Sequence, residues 1–402
     1  MKPAEHFLLI ALIFCLTTSI VCASTTPLAY QTQALKLGGD TYKMRVPQGY
    51  QLELLTDDLD GPRLMGFDRQ GVLLIGSKSD VVYRLSPPYT RPEILLELND
   101  YPHSVVVREE EILIATTSGL FHAPYTSGVK EIPSSNIKRL ARLPGGGGHN
   151  SRTLGLGPDG RVYLSLGITS NCADEYLGEA YPFYDRRGGI LVLDEKGGQA
   201  RWKTYASGLR NPVGFDWHPV TGMLYASNNG PDHHGFERPP EYFSRIEAGS
   251  FHGMPWFQYD GKRIKRDDCV GSKPPRPVKD VSLPVAIFPA RNAPMAVSFV
   301  PQGAMEKNLE YDAIVALRGS WGTQPAGNYF GDSATRRHPK LVVVRFDKGK
   351  AIRVDDLVTG FQLEDGDRIA RPVGVAMGPD GALYFTSDSG VNGLFRLRKI
   401  SR

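Results

Sequence analysis

Residues Arg152–Gly167 read RTLGLGPDGRVYLSLG. Small and apolar residues lead up to a polar GPDG, and an apolar run, Val162–Leu166, leads away from it. In the turn, Pro158 presets φ for the first central position, Asp159 suits the second and Gly160 accepts a positive φ. The flanking residues alternate in polarity or are β-branched and aromatic, the composition of strands. A further apolar segment, GGILVLD at Gly188–Asp194, supplies a third strand. The stretch is therefore a hairpin followed by one more strand, and such a unit cannot cover its own two faces.

The unit recurs along the chain. RLMGFDRQGVLLIGS from Arg63 is followed by VVYRL, and HSVVVREEEILIATTSG from His103 by LFHAPY. VGFDWHPVTGMLYASN from Val213 is followed by EYFSRIEAG. MAVSFVPQG and YDAIVALRG, from Met295, precede KLVVVRFDKG; VGVAMGPDGALYFTSD, from Val373, precedes GLFRLRK. Units that stack radially bury one another's faces, so the pattern predicts an all-β fold, a β-propeller, and six copies predict six blades. A two-sheet sandwich is the alternative, but it does not call for a recurring signature. Residues 232–292, rich in Pro, Gly and charge, read as a long loop region within the propeller rather than a separate domain.

The bounds agree. A chain of 402 residues can be two or three domains or one large β architecture. Hydrophobic residues at 41% suffice for a large core, and 44 Gly with 30 Pro favour turns over helices. The net charge of +4 is dispersed, with no basic block longer than KRIKR at Lys262–Arg266, which argues against nucleic acid as a partner. The N-terminal FLLIALIFCLTTSIV is too short to span a membrane comfortably, and small residues follow in VCA. Residues 1–23 are expected to be a secretory signal, with 24–402 the exported propeller, periplasmic or secreted, and no stable membrane span after its removal. A retained anchor is the alternative. Cys172 and Cys269 then remain, an even pair expected to form a disulfide in an oxidising compartment. Neither lies in C-x-x-C, so those cysteines suggest neither zinc nor attached haem.

Function must come from the loops. GLRN precedes the fourth hairpin and NNGPD follows its second strand, so both lie at one end of the blade. By the same rule YPHS, GGGGHNSR, ALRGSWG and RIARPVG gather there, bringing His103, His149, Arg210, Asn211, Arg318 and Arg371 to one mouth of the channel. Converging arginines call for a polyanionic ligand. A histidine beside them is a candidate general base. No Ser-His-Asp set, no close carboxylate pair and no phosphate-binding glycine loop accompanies them. His233 and His234 read as exposed loop, since adjacent residues do not readily chelate one ion. Trp217 and His218 read as hairpin packing, and SWGTQP after Arg318 as a substrate wall or a plain loop.

GLRNPVGFDWHPVTGMLYASNNG, HNSRTLGLGPDGRVYLSLG, RPPEYFSRIEAGSFHGMPW, RGSW and RPVGVAMGPDGALYF together resemble the soluble quinoprotein glucose and sorbosone dehydrogenases, particularly the sorbosone-dehydrogenase-like branch, from about residue 40 to the C-terminus. The resemblance implies a six-bladed propeller that binds pyrroloquinoline quinone (PQQ) and Ca2+ at one mouth. It implies oxidation of a sugar, sugar aldehyde or related alcohol, with electrons passing to a separate acceptor. By that likeness His149 is the base, Arg210 stabilises charge on the quinone oxygen, and Asn211, Arg318 and Arg371 contact the cofactor. Gly230 and Pro231 would offer carbonyls to calcium. The chain departs from the family's acidic-acidic-Leu-Asn run, having Glu241, Tyr242, Phe243 and Ser244, and has Val213 where many relatives have Gln. It also shows a single cysteine near position 172, where the branch usually has a denser cluster. The alternatives are a non-catalytic ligand-binding propeller and a calcium-dependent hydrolase such as a lactonase; the latter would need several Asp, Asn and Glu side chains around the ion.

Overall fold

The computed structural model describes residues 26–196 and 199–400; the signal segment expected at 1–23 lies outside the described residues. A hairpin of β1 (Tyr30–Leu37) and β2 (Asp40–Pro47) comes first, then β3 (Tyr50–Thr56), whose partner lies at the other end of the chain. Blade one is β4 (Pro62–Phe67), β5 (Leu73–Ser77), β6 (Val81–Leu85) and β7 (Glu93–Glu97). Blade two is β8 (Ser104–Arg108), β9 (Glu111–Ala115), β10 (Gly119–Pro124) and β11 (Lys138–Arg142). Blade three is β12 (Leu154–Leu156), β13 (Val162–Leu166), β14 (Gly189–Asp194) and β15 (Arg201–Ser207).

Blade four begins with β16 (Phe215–Trp217), β17 (Leu224–Asn228) and β18 (Glu241–Ile246). Before it is complete, β19 (Ser250–Phe251) adds in parallel to β15, and β20 (Phe257–Tyr259) with β21 (Ile264–Arg266) forms a separate hairpin. The blade then ends with β22 (Ala286–Phe288). The stretch 232–292 thus carries the blade-four strands β18 and β22, the added strand β19 and the β20–β21 hairpin as well as loops. Blade five is β23 (Pro294–Phe299), β24 (Ala313–Leu317), β25 (Lys340–Asp347) and β26 (Lys350–Val358). Blade six is β27 (Ala370–Met377) and β28 (Leu383–Lys399), with β3 as its outer strand. Every pair within a blade is antiparallel, and the sheets form a six-bladed β-propeller.

The GPDG turns behave as their chemistry requires. Asp159 accepts from the Arg161 backbone N–H (3.1 Å) and the Tyr163 hydroxyl (2.8 Å). Asp380 does the same for Ala382 (3.1 Å) and Tyr384 (2.9 Å). Strands β13 and β24 are buried along their whole length, because each sheet is covered on both faces by its neighbours. Six clusters of buried apolar side chains accordingly lie between successive blades; one joins Leu73 and Ile75 of blade one to Tyr384 and Leu394 of blade six. Among the described residues helical structure is confined to short 3-10 turns, and no helix is long and apolar enough to cross a membrane. The inner strands β4, β8, β12, β16, β23 and β27 all line one axial cavity. The loops at one end of that axis carry the polar residues singled out above.

Candidate functional site

A cavity of about 600 Å³ opens at that end, lined by Arg63, Lys78, Tyr101, His149, Asn211, Asn229 and Arg318 among others. His149 is placed by glycines. Gly148 has φ +79° and lies so close to the Thr169 backbone that a Cβ would overlap it, and a Cβ at Gly167 would strike His149 and Asn211. The close approach lets the Ile168 carbonyl accept from both the His149 backbone N–H (3.2 Å) and Nδ1 (2.7 Å). A carbonyl only accepts, so Nδ1 carries the proton and Nε2 keeps its lone pair, with no protein partner among the described residues. Burial, then the nearby Arg210, lowers the His149 pKa to about 4. At neutral pH the imidazole is uncharged and able to take a proton.

Arg210 is buried and fixed by its neighbours. Nε donates to the Asn171 carbonyl (3.0 Å), and Nη2 to Asn171 Oδ1 (2.9 Å) and Asp232 Oδ2 (3.4 Å). It stands beside the cavity rather than in its wall. Asn211 is in the wall; its backbone is tied to Asn228 and Asn229, while its side-chain amide has no hydrogen-bond partner among the described residues. Cys172, next to Asn171, is disulfide-bonded to Cys269 as expected. The bond anchors the loop that holds Arg210.

The opposite wall is an ionic cluster that the motifs did not announce. Asp388, its side chain fully buried, receives Arg63 Nη1 (2.6 Å) and Lys78 Nζ (2.6 Å) on one oxygen and Arg318 Nε (2.8 Å) on the other. Burial pushes the Asp388 carboxyl up, but Arg63, Arg318 and Lys78 together outweigh it and hold the group well below the usual carboxylate range. Three cations face one anion, which leaves an excess of positive charge on the cavity wall. The other Arg318 guanidinium nitrogens have no protein acceptor among the described residues.

Two expected members of the mouth stand behind it. His103 is buried, with Nδ1 on the Arg152 carbonyl (3.0 Å) and Nε2 3.3 Å from Arg63 Nη2, so it positions Arg63. Arg371 donates to the carbonyls of Arg318 (2.9 Å) and Gly319 (2.9 Å), bracing the Arg318 loop from outside the cavity lining. Gly230 and Pro231 are buried beside the cavity residue Asn229. The Gly230 N–H donates to Glu241, whose carboxyl burial pushes up to about 7, while neither the Gly230 nor the Pro231 carbonyl accepts a hydrogen bond among the described residues. Trp321 is partly exposed after Arg318, its ring centroid 4.5 Å from that of Tyr329.

The model of the TrAA12-like family matches residues 44–238. An uncharacterized protein of Borreliella burgdorferi is 25% identical over 379 residues, covering 89% of this chain and 91% of that protein. A calcium structure of Trichoderma reesei Carbohydrate-Active Enzymes Family AA12 superposes with a TM-score of 0.74 at 17% identity, covering 93% of this chain and 99% of that one. The holo PQQ domain of pyranose dehydrogenase from Coprinopsis cinerea does so with 0.70 at 18% identity, covering 89% and 97%. At such identities the solved structures speak for the fold, and they are propeller-length matches. The likeness to soluble quinoprotein sugar dehydrogenases read from the GLRNP and HNSRTLG segments is borne out by the family match.

Proposed function

We propose that this TrAA12-like propeller is a PQQ-dependent dehydrogenase that oxidises a sugar, sugar aldehyde or related alcohol at the cationic mouth. The observation that carries the reading is that His149, with a free Nε2, shares one cavity with Arg63, Lys78 and Arg318. The donor set fits the cofactor: a tricarboxylate needs an excess of cations and unfilled hydrogen-bond donors, and both are present. The two unfilled carbonyls of Gly230 and Pro231, near the buried Glu241, suit a hard cation such as Ca2+. Bound together, PQQ and calcium would supply a polarised acceptor for hydride.

The protein's own part is acid–base and electrostatic. His149 takes the hydroxyl proton of the substrate at Nε2, and its Nδ1–H stays on the Ile168 carbonyl, so the ring cannot turn away. Arg210, held by Asn171 and Asp232, places a fixed positive charge beside that step. Arg63, Lys78 and Arg318 hold carboxylates, with Asn211 as a further contact and Arg371 bracing Arg318 from behind. The partly exposed Trp321, three residues after Arg318, offers a face to a sugar ring. Electrons then leave to a separate acceptor, and the disulfide accords with an exported enzyme.

The test is reconstitution. The purified apoprotein, given PQQ and calcium, is expected to acquire the cofactor's absorbance and to reduce a dye when an aldose is added. Stoichiometric PQQ uptake with no turnover across aldoses, their aldehydes and simple alcohols would favour a binding propeller. No uptake of PQQ at all would end the reading.

A further inference from the structure

Beside the mouth, the turn after β17 and the loop after β21 meet at a second cluster. His233 Nε2 lies 2.9 Å from Asp267 Oδ1, and His234 Nε2 lies 3.0 Å from Asp267 Oδ2. Asp268 Oδ1 is 3.9 Å from His233 Nε2, and the four donor groups all fall within 4.8 Å of one another. The two rings stand 3.8 Å apart, so adjacent histidines converge on one point here, against the expectation from their spacing.

We propose that His233, His234, Asp267 and Asp268 bind one Zn2+ ion, which staples these two loops together. The donor chemistry selects the metal: two imidazole nitrogens with carboxylate oxygens suit zinc, whereas calcium takes oxygens alone. The spacing agrees. Ligands about 2.0–2.2 Å from a tetrahedral zinc stand roughly 3.3 Å apart; the His233–Asp267, His234–Asp267 and His233–Asp268 separations of 2.9, 3.0 and 3.9 Å bracket that figure, and every other pair of donors lies within 4.8 Å. Cys172 and Cys269 are also near, but as a disulfide they offer no thiolate.

Charge supplies the second argument. The Asp267 side chain is fully buried and no Lys or Arg pairs with it among the described residues. Its partners are the two imidazoles and the Cys269 backbone N–H (2.8 Å). Two other carboxylates with buried side chains, Asp388 and Asp312, each have cations. A dication on the two Nε2 atoms would give Asp267 the counter-charge a buried carboxylate needs. His233 Nδ1, 3.5 and 3.7 Å from the disulfide sulfurs, would carry that ring's proton in the ligating tautomer. The histidine side chains are 26% and 36% exposed, open enough for an ion to enter from solvent.

The proposal stands apart from PQQ binding and is tested without it. Zinc alone is titrated into the metal-stripped, full-length protein against a chromophoric chelator, with melting temperature followed in parallel. One Zn2+ per chain is expected, with a zinc-dependent rise in melting temperature and no displacement by millimolar calcium. His234→Ala, at an exposed position, should weaken zinc more than about 100-fold, beyond what loss of an outer-shell partner usually costs. Asp268→Asn should weaken it less, and His122→Gln, at a separate histidine–glutamate pair, should leave it unchanged. No stoichiometric zinc, or equal affinity in folded His234→Ala, would overturn the proposal.

Discussion

At His149 one ring nitrogen is tied to the Ile168 carbonyl and the other is free, so the residue has one protonation role open to it. His149→Ala should lower turnover by about 10²–10⁴-fold while leaving PQQ affinity nearly unchanged, measured by dye reduction and by absorbance titration. Near wild-type turnover would remove it from the mechanism. Its pKa of about 4 carries a sign that can be checked. The folded state resists protonating this ring, so acidification from about 6.5 towards 4 favours the unfolded chain, and the contribution is complete above that window. A bound polyanion should stabilise the imidazolium and move the titration upwards; the His149 ring signals in NMR, with and without PQQ, decide it. Asp388→Asn leaves three cations facing one another and should cost about 3 kcal/mol in denaturant unfolding. The same carboxylate, held below its usual range, stabilises the fold above about pH 4 and ceases to do so as pH falls. His149, Asn211 and Arg318 were legible because they interrupt strand patterns with polar loops. Arg63 and Asp388 were not: each sits within a strand, and they are 325 residues apart in sequence.

Among the elements, the loops around blades three and four set the precision of the site. Asn171 holds Arg210 through both its backbone and its side chain, and its Oδ1 also accepts from the Asp232 N–H (2.7 Å). The adjoining disulfide spans 97 residues. Cys172→Ser should therefore do two things: lower stability by about 2–5 kcal/mol and weaken PQQ binding through a looser Arg210. Unchanged affinity in a destabilised but folded variant would show that Asn171 holds Arg210 without the disulfide. The three inner strands of each unit were readable from apolar runs and turn chemistry. The outer strands β7, β11, β15, β22 and β26 were not, because their solvent-facing residues break the pattern; β15 is exposed at three of its seven positions. Within 232–292 the strand β18 was readable from EYFSRI, but β22 was hidden, since a long insertion separates it from β18.

For the molecule as a whole, the ring closes in blade six, where β3 lies against β28 in antiparallel register and Leu52 faces Leu397. Glu53 accepts from Arg396 (2.8 Å) and Arg398 (2.9 Å) across the same seam. Leu397 is fully buried, and Leu397→Ala should cost about 2–5 kcal/mol, read by thermal or denaturant unfolding. A change below 1 kcal/mol would mean that the seam is held elsewhere. Six copies of the unit made the ring legible in the sequence, but not its seam, since β3 carries no hairpin of its own. That seam also fixes an order of events during synthesis. Strand β3 leaves the ribosome early, yet its only partner strand among the described residues is made last. Until then one sheet edge stays unpaired and able to join another chain. Premature termination late in the message would therefore be as harmful as one near its middle, and newly made protein would be most prone to aggregate in the interval before its last strand arrives.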